Sequence, residues 1–201
     1  LETNNELAQS NPYHKASATE NAPVADKAYP DGQTTQMAVE AMQGLAQSEE
    51  PFFLAVGYYK PHLPFTAPSQ YWDHYKYTNV PLTTTDSLPQ GAPPYIFRSW
   101  SEPGSYLDIS EDEPYSDSLS THLKLGYYAC ISFIDAQVGQ LLDQLETLGI
   151  RDNTIVVLWG DHGFKLGEYG RWSKHSTVEV DTRVPLIVSA PGVSNSGIKI
   201  N

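Results

Sequence analysis

Asp161-His162-Gly163 places a carboxylate and an imidazole side by side, directly after a run of β-branched and apolar residues. A carboxylate offers hard oxygen to Ca2+ or Mg2+, and an imidazole offers a nitrogen or an orienting hydrogen bond, so one cation can be reached by both. Gly163 lets the backbone turn sharply behind them. By itself the tripeptide fits a capped turn with a surface histidine better than a metal site. The same loop continues with Lys165, Glu168, Arg171, Trp172, Lys174 and His175, spaced by Gly163, Gly167 and Gly170. Glycines let such a loop fold tightly, and its cations can hold an oxyanion. Lys174 lies far enough beyond Asp161 for the loop to return it to a metal. A solvated basic loop is the competing reading. A third cluster, Lys60-Pro61-His62, pairs a cation able to clamp sulfate or phosphate with a histidine able to protonate a leaving alcohol. Here a proline-stiffened connector with exposed side chains fits equally well.

The elements around these clusters share one pattern. Phe52 to Gly57 is a nearly continuous apolar run, predicting a strand buried on both faces, as in a parallel sheet. Two prolines within Lys60-Pro61-His62-Leu63-Pro64 then require an irregular loop. Before that strand, Thr34 or Thr35 can cap a helix carrying Met37, Ala41, Met42 and Leu45 at helical spacing. A longer helix is expected from about Ser120 to Leu148. Its stripe is Tyr127, Tyr128, Ile131, Ile134, Val138, Leu141, Leu142, Leu145 and Leu148, and Gly149 stops it. Asp135 falls on that stripe and is expected to pair with a buried donor, and Cys130 to pack inertly. Asn153–Trp159 and Val184–Ser189 read as two more buried strands. Strand, helix, strand, loop, strand predicts an α/β parallel sheet, with ligands beyond the strands' C-terminal ends. Both chemically loaded loops, after Gly57 and after Trp159, leave strands at that edge.

Composition narrows the partners. The 201 residues hold 12 Lys+Arg against 24 Asp+Glu, a net charge of −12. That excess argues against nucleic acid, whose binding needs cations to replace phosphate counterions, so any anion site must be a local cationic pocket. One cysteine leaves no internal disulfide framework, and no apolar run approaches the roughly 20 residues of a membrane span. Residues 1–30 read as an extended or surface segment, residues 31–201 as part of one α/β domain, and about 81–118 as a long surface loop excursion. Leu1 in place of Met and the terminal Gly-Ile-Lys-Ile-Asn, read as a strand without a partner, suggest that both ends are internal to a longer chain.

Three segments together resemble the type I sulfatases. Phe52 to Phe65 is similar to a strand and loop of that family, and Tyr128 to Gly139 to its long helix. Asp161-His162-Gly163-Phe164-Lys165-Leu166-Gly167-Glu168-Tyr169-Gly170-Arg171-Trp172-Ser173-Lys174 resembles its second metal motif, and Thr182-Arg183-Val184-Pro185-Leu186-Ile187 follows in the family's order. The resemblance covers roughly residues 30–192. It implies an alkaline-phosphatase-like fold, a mostly parallel sheet flanked by helices and present here as a partial domain. It further implies hydrolysis of a sulfate ester on a small molecule or a glycan, such as an iduronate 2-sulfate. In that family a formylglycine, made from the cysteine or serine of a C/S-x-P-x-R motif, attacks sulfur, and Ca2+, with Mg2+ the alternative, neutralises the sulfate oxygens. The resemblance implies metal ligation by Asp161 and His162, catalytic roles for His62 and Lys174, and substrate contacts from Lys60, Phe164, Trp172 and His175. It also implies export, to a periplasm or a lysosome. The nucleophile motif does not occur in these residues, since Cys130 is followed by Ile-Ser-Phe. The nucleophile is therefore expected upstream, in the remainder of the sulfatase chain, and the segment alone is expected to be inactive. Two readings compete: a phosphodiesterase or phosphonate hydrolase of the same superfamily, and a non-catalytic relative that binds sulfate or sugar.

Overall fold

A computed structural model describes residues 15–85, 87–93, 101–110, 114–192 and 197, apart from the side chain of Thr78. The expected terminal strand at 198–201 and the first fourteen residues lie outside them.

The chain enters through a two-residue strand, β1 (Thr19–Glu20), which pairs in parallel with β2 (Phe65–Thr66). Ala18 beside it is fully buried and Tyr29 nearly so, so this stretch is extended but contributes to the core and does not only skirt the surface. Helix α1 (Pro30–Leu45) starts earlier than either threonine cap predicts. Proline needs no amide partner at the first helical position and its φ is already helical, so Pro30 sets the start, with Tyr29 extended before it. Thr35 lies inside the helix, 1% exposed, where its hydroxyl donates to the Asp31 carbonyl at 3.1 Å and meets Tyr58 Oη at 2.9 Å. The buried face is Asp31, Thr35, Ala38 and Met42, one residue round from the predicted stripe, which leaves Met37 69% exposed.

Beyond β2, a short helix, α2 (Ser69–Trp72), delivers Tyr71 and Trp72 to the long helix α3 (Asp117–Thr147). Ser116 caps α3 by accepting the Leu119 amide, and Gly149, at φ +68°, ends it in the left-handed conformation that a Cβ would oppose. The face that meets the core is Leu123, Gly126, Cys130, Phe133 and Gln137, with Ala129. It is displaced from the larger apolar residues picked out by periodicity, so Ile131 is 43% exposed and Asp135 is exposed instead of meeting a buried donor. Small residues explain the choice of face. At Gly126, an added Cβ would stand 2.8 Å from the Trp72 ring and 3.0 Å from Phe65 Cβ, so the glycine permits close approach. The Phe133 ring meets Tyr71 at 5.3 Å and Tyr29 at 6.1 Å between centroids. Cys130 is fully buried, and burial pushes its thiol up to about 12, which keeps it protonated and unreactive at neutral pH.

Strand β3 (Val156–Trp159) pairs with β4 (Leu186–Ser189), and the pairing is antiparallel, from Val156 opposite Ser189 to Trp159 opposite Leu186. Between them lie the glycine-rich loop and a one-turn helix, α4 (Glu179–Thr182). Periodicity predicts all three apolar runs as buried strands. Instead Phe53 is 90%, Trp159 63%, Leu186 67% and Ile187 58% exposed, and 51–59 pairs with no strand among the described residues. An apolar run specifies a preference for burial, whereas burial needs neighbours on both faces. The excursion at 81–118 also differs in part from a surface loop. Ser101, Glu102, Pro103 and Gly104 are buried, because the Glu102 amide donates to the Trp172 carbonyl at 3.0 Å and the Leu107 amide to that of Ala16 at 3.1 Å.

Gly126→Ala gains helix propensity yet is expected to lower stability, because the methyl group meets Trp72. Gly139→Ala on the same helix meets nothing within 4 Å and is expected to stabilise by about 0.5–1 kcal/mol. Urea unfolding of the two variants checks the opposite signs.

Candidate functional site

The His62 loop is held from below by α1. Asp31, buried in the first turn, accepts the amides of Tyr59 at 2.7 Å and Lys60 at 3.0 Å through its two carboxylate oxygens. Lys60 then turns inwards, donating to the carbonyls of His62 at 2.9 Å and Pro64 at 2.6 Å, with its ammonium 4.7 Å from the Tyr59 ring centre. Burial lowers its pKa. Lys60 thus spends its donors on the curve of its own loop. His62 Nδ1 lies 2.7 Å from the Leu63 carbonyl. A carbonyl can only accept, so Nδ1 carries hydrogen and, in the neutral ring, Nε2 is left with its lone pair.

That lone pair meets the other loop. Lys174 Nζ donates to His62 Nε2 at 2.8 Å and to Glu102 Oε1 at 3.0 Å. Glu102 Oε2 is 3.0 Å from the same ammonium but off the line of a hydrogen bond, so charge alone holds it there. Glu102 Oε1 is also 3.3 Å from His62 Nε2. The carboxylate is 6% exposed and Lys174 is 9%, so solvent screens this contact little. Sequence reasoning did not single out Glu102. A lone acid in a Pro- and Ser-rich stretch carries no local signal of its partners.

The glycine-rich loop is fastened by a second buried pair. Lys165, 1% exposed, donates to Asp181 Oδ2, which also accepts the Ser176 amide at 3.0 Å. The Lys165 amide donates to the Ser173 carbonyl and the Gly163 amide to the Asp181 carbonyl, closing the loop on itself. Gly163 has no room for a side chain there, since an added Cβ would lie 1.9 Å from the Val180 carbonyl oxygen. Trp172, at 1% exposure, belongs to the core, its ring 6.0 Å from Tyr115. Phe164 is half-buried, with the Lys174 ammonium 5.8 Å from its ring centre, and exposed His175 adopts φ +71°.

Asp161, His162, Lys174, His175, Ser176, Asp181 and Thr182 line one open cavity of about 340 Å³. Asp161, His162, Lys174 and His62 therefore meet in one region, through the cavity and the His62–Lys174 contact. Lys60, Phe164 and Trp172 are not among the lining residues. His162 Nδ1 donates to the Gly163 carbonyl at 2.8 Å, again leaving Nε2 with a lone pair, 3.7 Å from Asp161 Oδ2. Two donors at that separation can share a divalent ion whose bonds are about 2.1–2.5 Å long. No group of three or more His, Cys, Asp or Glu able to hold a metal exists among the described residues, so this chain offers a pair of ligands and not a closed set. The buried Asp181 Oδ1 has no hydrogen-bond partner there.

Known proteins resemble this chain over most of its length. A family model described as Sulfatase matches residues 3–200. The chain belongs to the sulfatase family. It is 36% identical to human iduronate 2-sulfatase over 175 residues, covering 84% of this chain and 32% of that protein. It is 29% identical to choline-sulfatase of Rhizobium meliloti over 192 residues, covering 90% and 36%. Among solved structures, the phosphonate monoester hydrolase of Silicibacter pomeroyi superimposes with a TM-score of 0.69 at 25% identity, over 84% of this chain and 34% of that one. The α/β fold of this sulfatase chain is thus the alkaline-phosphatase-like one, present in part, and the chain spans about a third of the length of these relatives. Metal and formylglycine use are general in the family. Among the described residues, no helix is long and apolar enough to cross a membrane.

Lys165→Met is expected to cost about 3–5 kcal/mol, since it leaves the Asp181 carboxylate buried without its cation, whereas Lys165→Met with Asp181→Leu recovers most of that loss. Thermal unfolding of both variants checks it.

Proposed function

We propose that this chain supplies the metal-proximal and sulfate-contacting half of a sulfatase active site that hydrolyses sulfate esters of a glycan or small molecule. The observation that carries this reading is the Lys174–His62 hydrogen bond at 2.8 Å, made beside the cavity that Asp161 and His162 line. Lys174 donates to a sulfate oxygen. With Nδ1–H committed to the Leu63 carbonyl, Nε2 is the ring atom of His62 that can take up a proton from solvent, giving up the hydrogen bond it accepts from Lys174, and then release that proton to the leaving alcohol. Asp161 Oδ2 and His162 Nε2 would hold the ion, Ca2+ in preference to Mg2+, which supplies Lewis-acid neutralisation of the sulfate charge. His175, exposed at the cavity, contacts the substrate. Phe164, Trp172 and Lys60 act behind it, by supporting the loops that carry Lys174 and His62.

The nucleophile, a formylglycine, belongs to the remainder of the protein. That remainder covers the exposed apolar residues of β3, β4 and the segment around Phe53, whose exposure is otherwise costly. The likeness to iduronate 2-sulfatase supports a sulfated glycan as substrate, and with it an exported or lysosomal protein. Likeness to the phosphonate monoester hydrolase supports a second reading, hydrolysis of a phosphonate or phosphate ester by the same residues.

In the whole protein, Lys174→Ala and His62→Ala should each lower kcat/KM for an aryl sulfate by about 10²–10⁴. Lys174→Ala, which leaves the buried Glu102 carboxylate without its cation, should also lower the melting temperature, so its kinetics are read well below that temperature. Chelation should abolish turnover and Ca2+ restore it. The isolated 201-residue chain should show none. Undiminished turnover by the two variants would sink the assignment.

A further inference from the structure

We propose that Glu102 is a specificity-determining residue, which sets the charge of the anion pocket so that esters with one negative charge are preferred over those with two. The inference rests on the sulfatase reading of Lys174 and His62. Three observations support it. Glu102 is 5% exposed, so its charge acts over short range with little screening. Its two oxygens lie 3.0 Å from the Lys174 ammonium and Oε1 lies 3.3 Å from His62 Nε2. And its amide is anchored to the Trp172 carbonyl, so the carboxylate is placed by the backbone on which Lys174 follows two residues later.

The charge of the cluster follows from its hydrogen bonds. Lys174 contributes +1 and Glu102 −1. His62, donating from Nδ1 and accepting at Nε2, is neutral in this resting arrangement. Lys15 feels both members of the pair: burial lowers its pKa, Glu102 opposes that shift and Lys174 adds to it. Tyr59 and Tyr106 also face Glu102, and its charge adds to the burial that holds their phenols protonated. Lys174 is therefore a directional ammonium donor whose own charge a buried carboxylate offsets, while Lys15 and an ion held by Asp161 and His162 would add positive charge that does not change between the variants. A sulfate monoester carries one negative charge and binds such a donor through hydrogen bonds. A phosphate monoester carries two at mildly alkaline pH, and its second charge adds to the repulsion from the Glu102 carboxylate. Removing the carboxylate should relieve the dianion more than the monoanion.

The test compares the whole protein with Glu102→Gln and Glu102→Asp, using Glu102→Met as a second uncharged variant if the amide is not tolerated in the fold. Three substrates share one aryl leaving group: a sulfate monoester, a phosphate monoester and a methyl phosphate diester. Turnover of the aryl sulfate by the unaltered protein tests the sulfatase reading separately. For the proposal, the uncharged variant should raise the ratio of kcat/KM for phosphate monoester over sulfate by about tenfold or more. The diester, with phosphorus but a single charge, should keep its ratio to sulfate, and Glu102→Asp should keep both. A uniform fall on all three substrates would mean that Glu102 only supports the loop, and an equal gain for the diester would mean that it reads shape. Either result overturns the proposal.

Discussion

Lys174 draws the site's separate segments together. Its ammonium reaches back 112 residues to His62 and 72 residues to Glu102. Without that cation, a carboxylate at 6% exposure would stand beside an imidazole with no charge to balance it. Burial of a lone carboxylate is costly, so the contact binds the excursion, the His62 loop and the glycine-rich loop into one arrangement.

Each loop is also rigid on its own account. Asp31 grips two successive amides at the start of the His62 loop, and Lys60 grips two carbonyls farther along it. On the opposite side, Asp181 gathers Lys165 and Ser176, so the strand of loop that carries Lys174 is pinned on both flanks. The same device serves both loops: a buried charge satisfied by several donors or acceptors. Lys60 and Lys165, which look like candidate anion ligands by type, are instead the fasteners. Lys174 differs from Lys60 in reaching other segments, His62 and Glu102, where Lys60 donates within its own loop.

The two histidines are set up alike. In each, Nδ1 donates to the carbonyl of the next residue, and Nε2 faces the site. A local hydrogen bond thereby selects the tautomer. The selection gives His162 a lone pair for a cation beside Asp161, and gives His62 one that accepts from Lys174.

Much of this was legible in the sequence. The long helix with its Gly149 stop and the proline-bent loop follow from local rules, whereas roles for Asp161, His162, Lys174 and His62 are implied by the resemblance to sulfatases and not by spacing. Hydrogen-bonding geometry and φ preferences act within a few residues of chain, and residue type fixes which ligands a side chain can offer. What the tertiary structure decided is of longer range. The buried face of α3 went to Gly126, Ala129 and Cys130 because close approach of Trp72 and Phe65 needs small residues, which periodicity counts as weak. The apolar strands β3 and β4 pair with each other and lie exposed, because burial depends on what packs against a strand and not on its composition. Glu102 became part of the site only through folding, since its partners are distant in the chain and a lone acid has no periodicity to betray it.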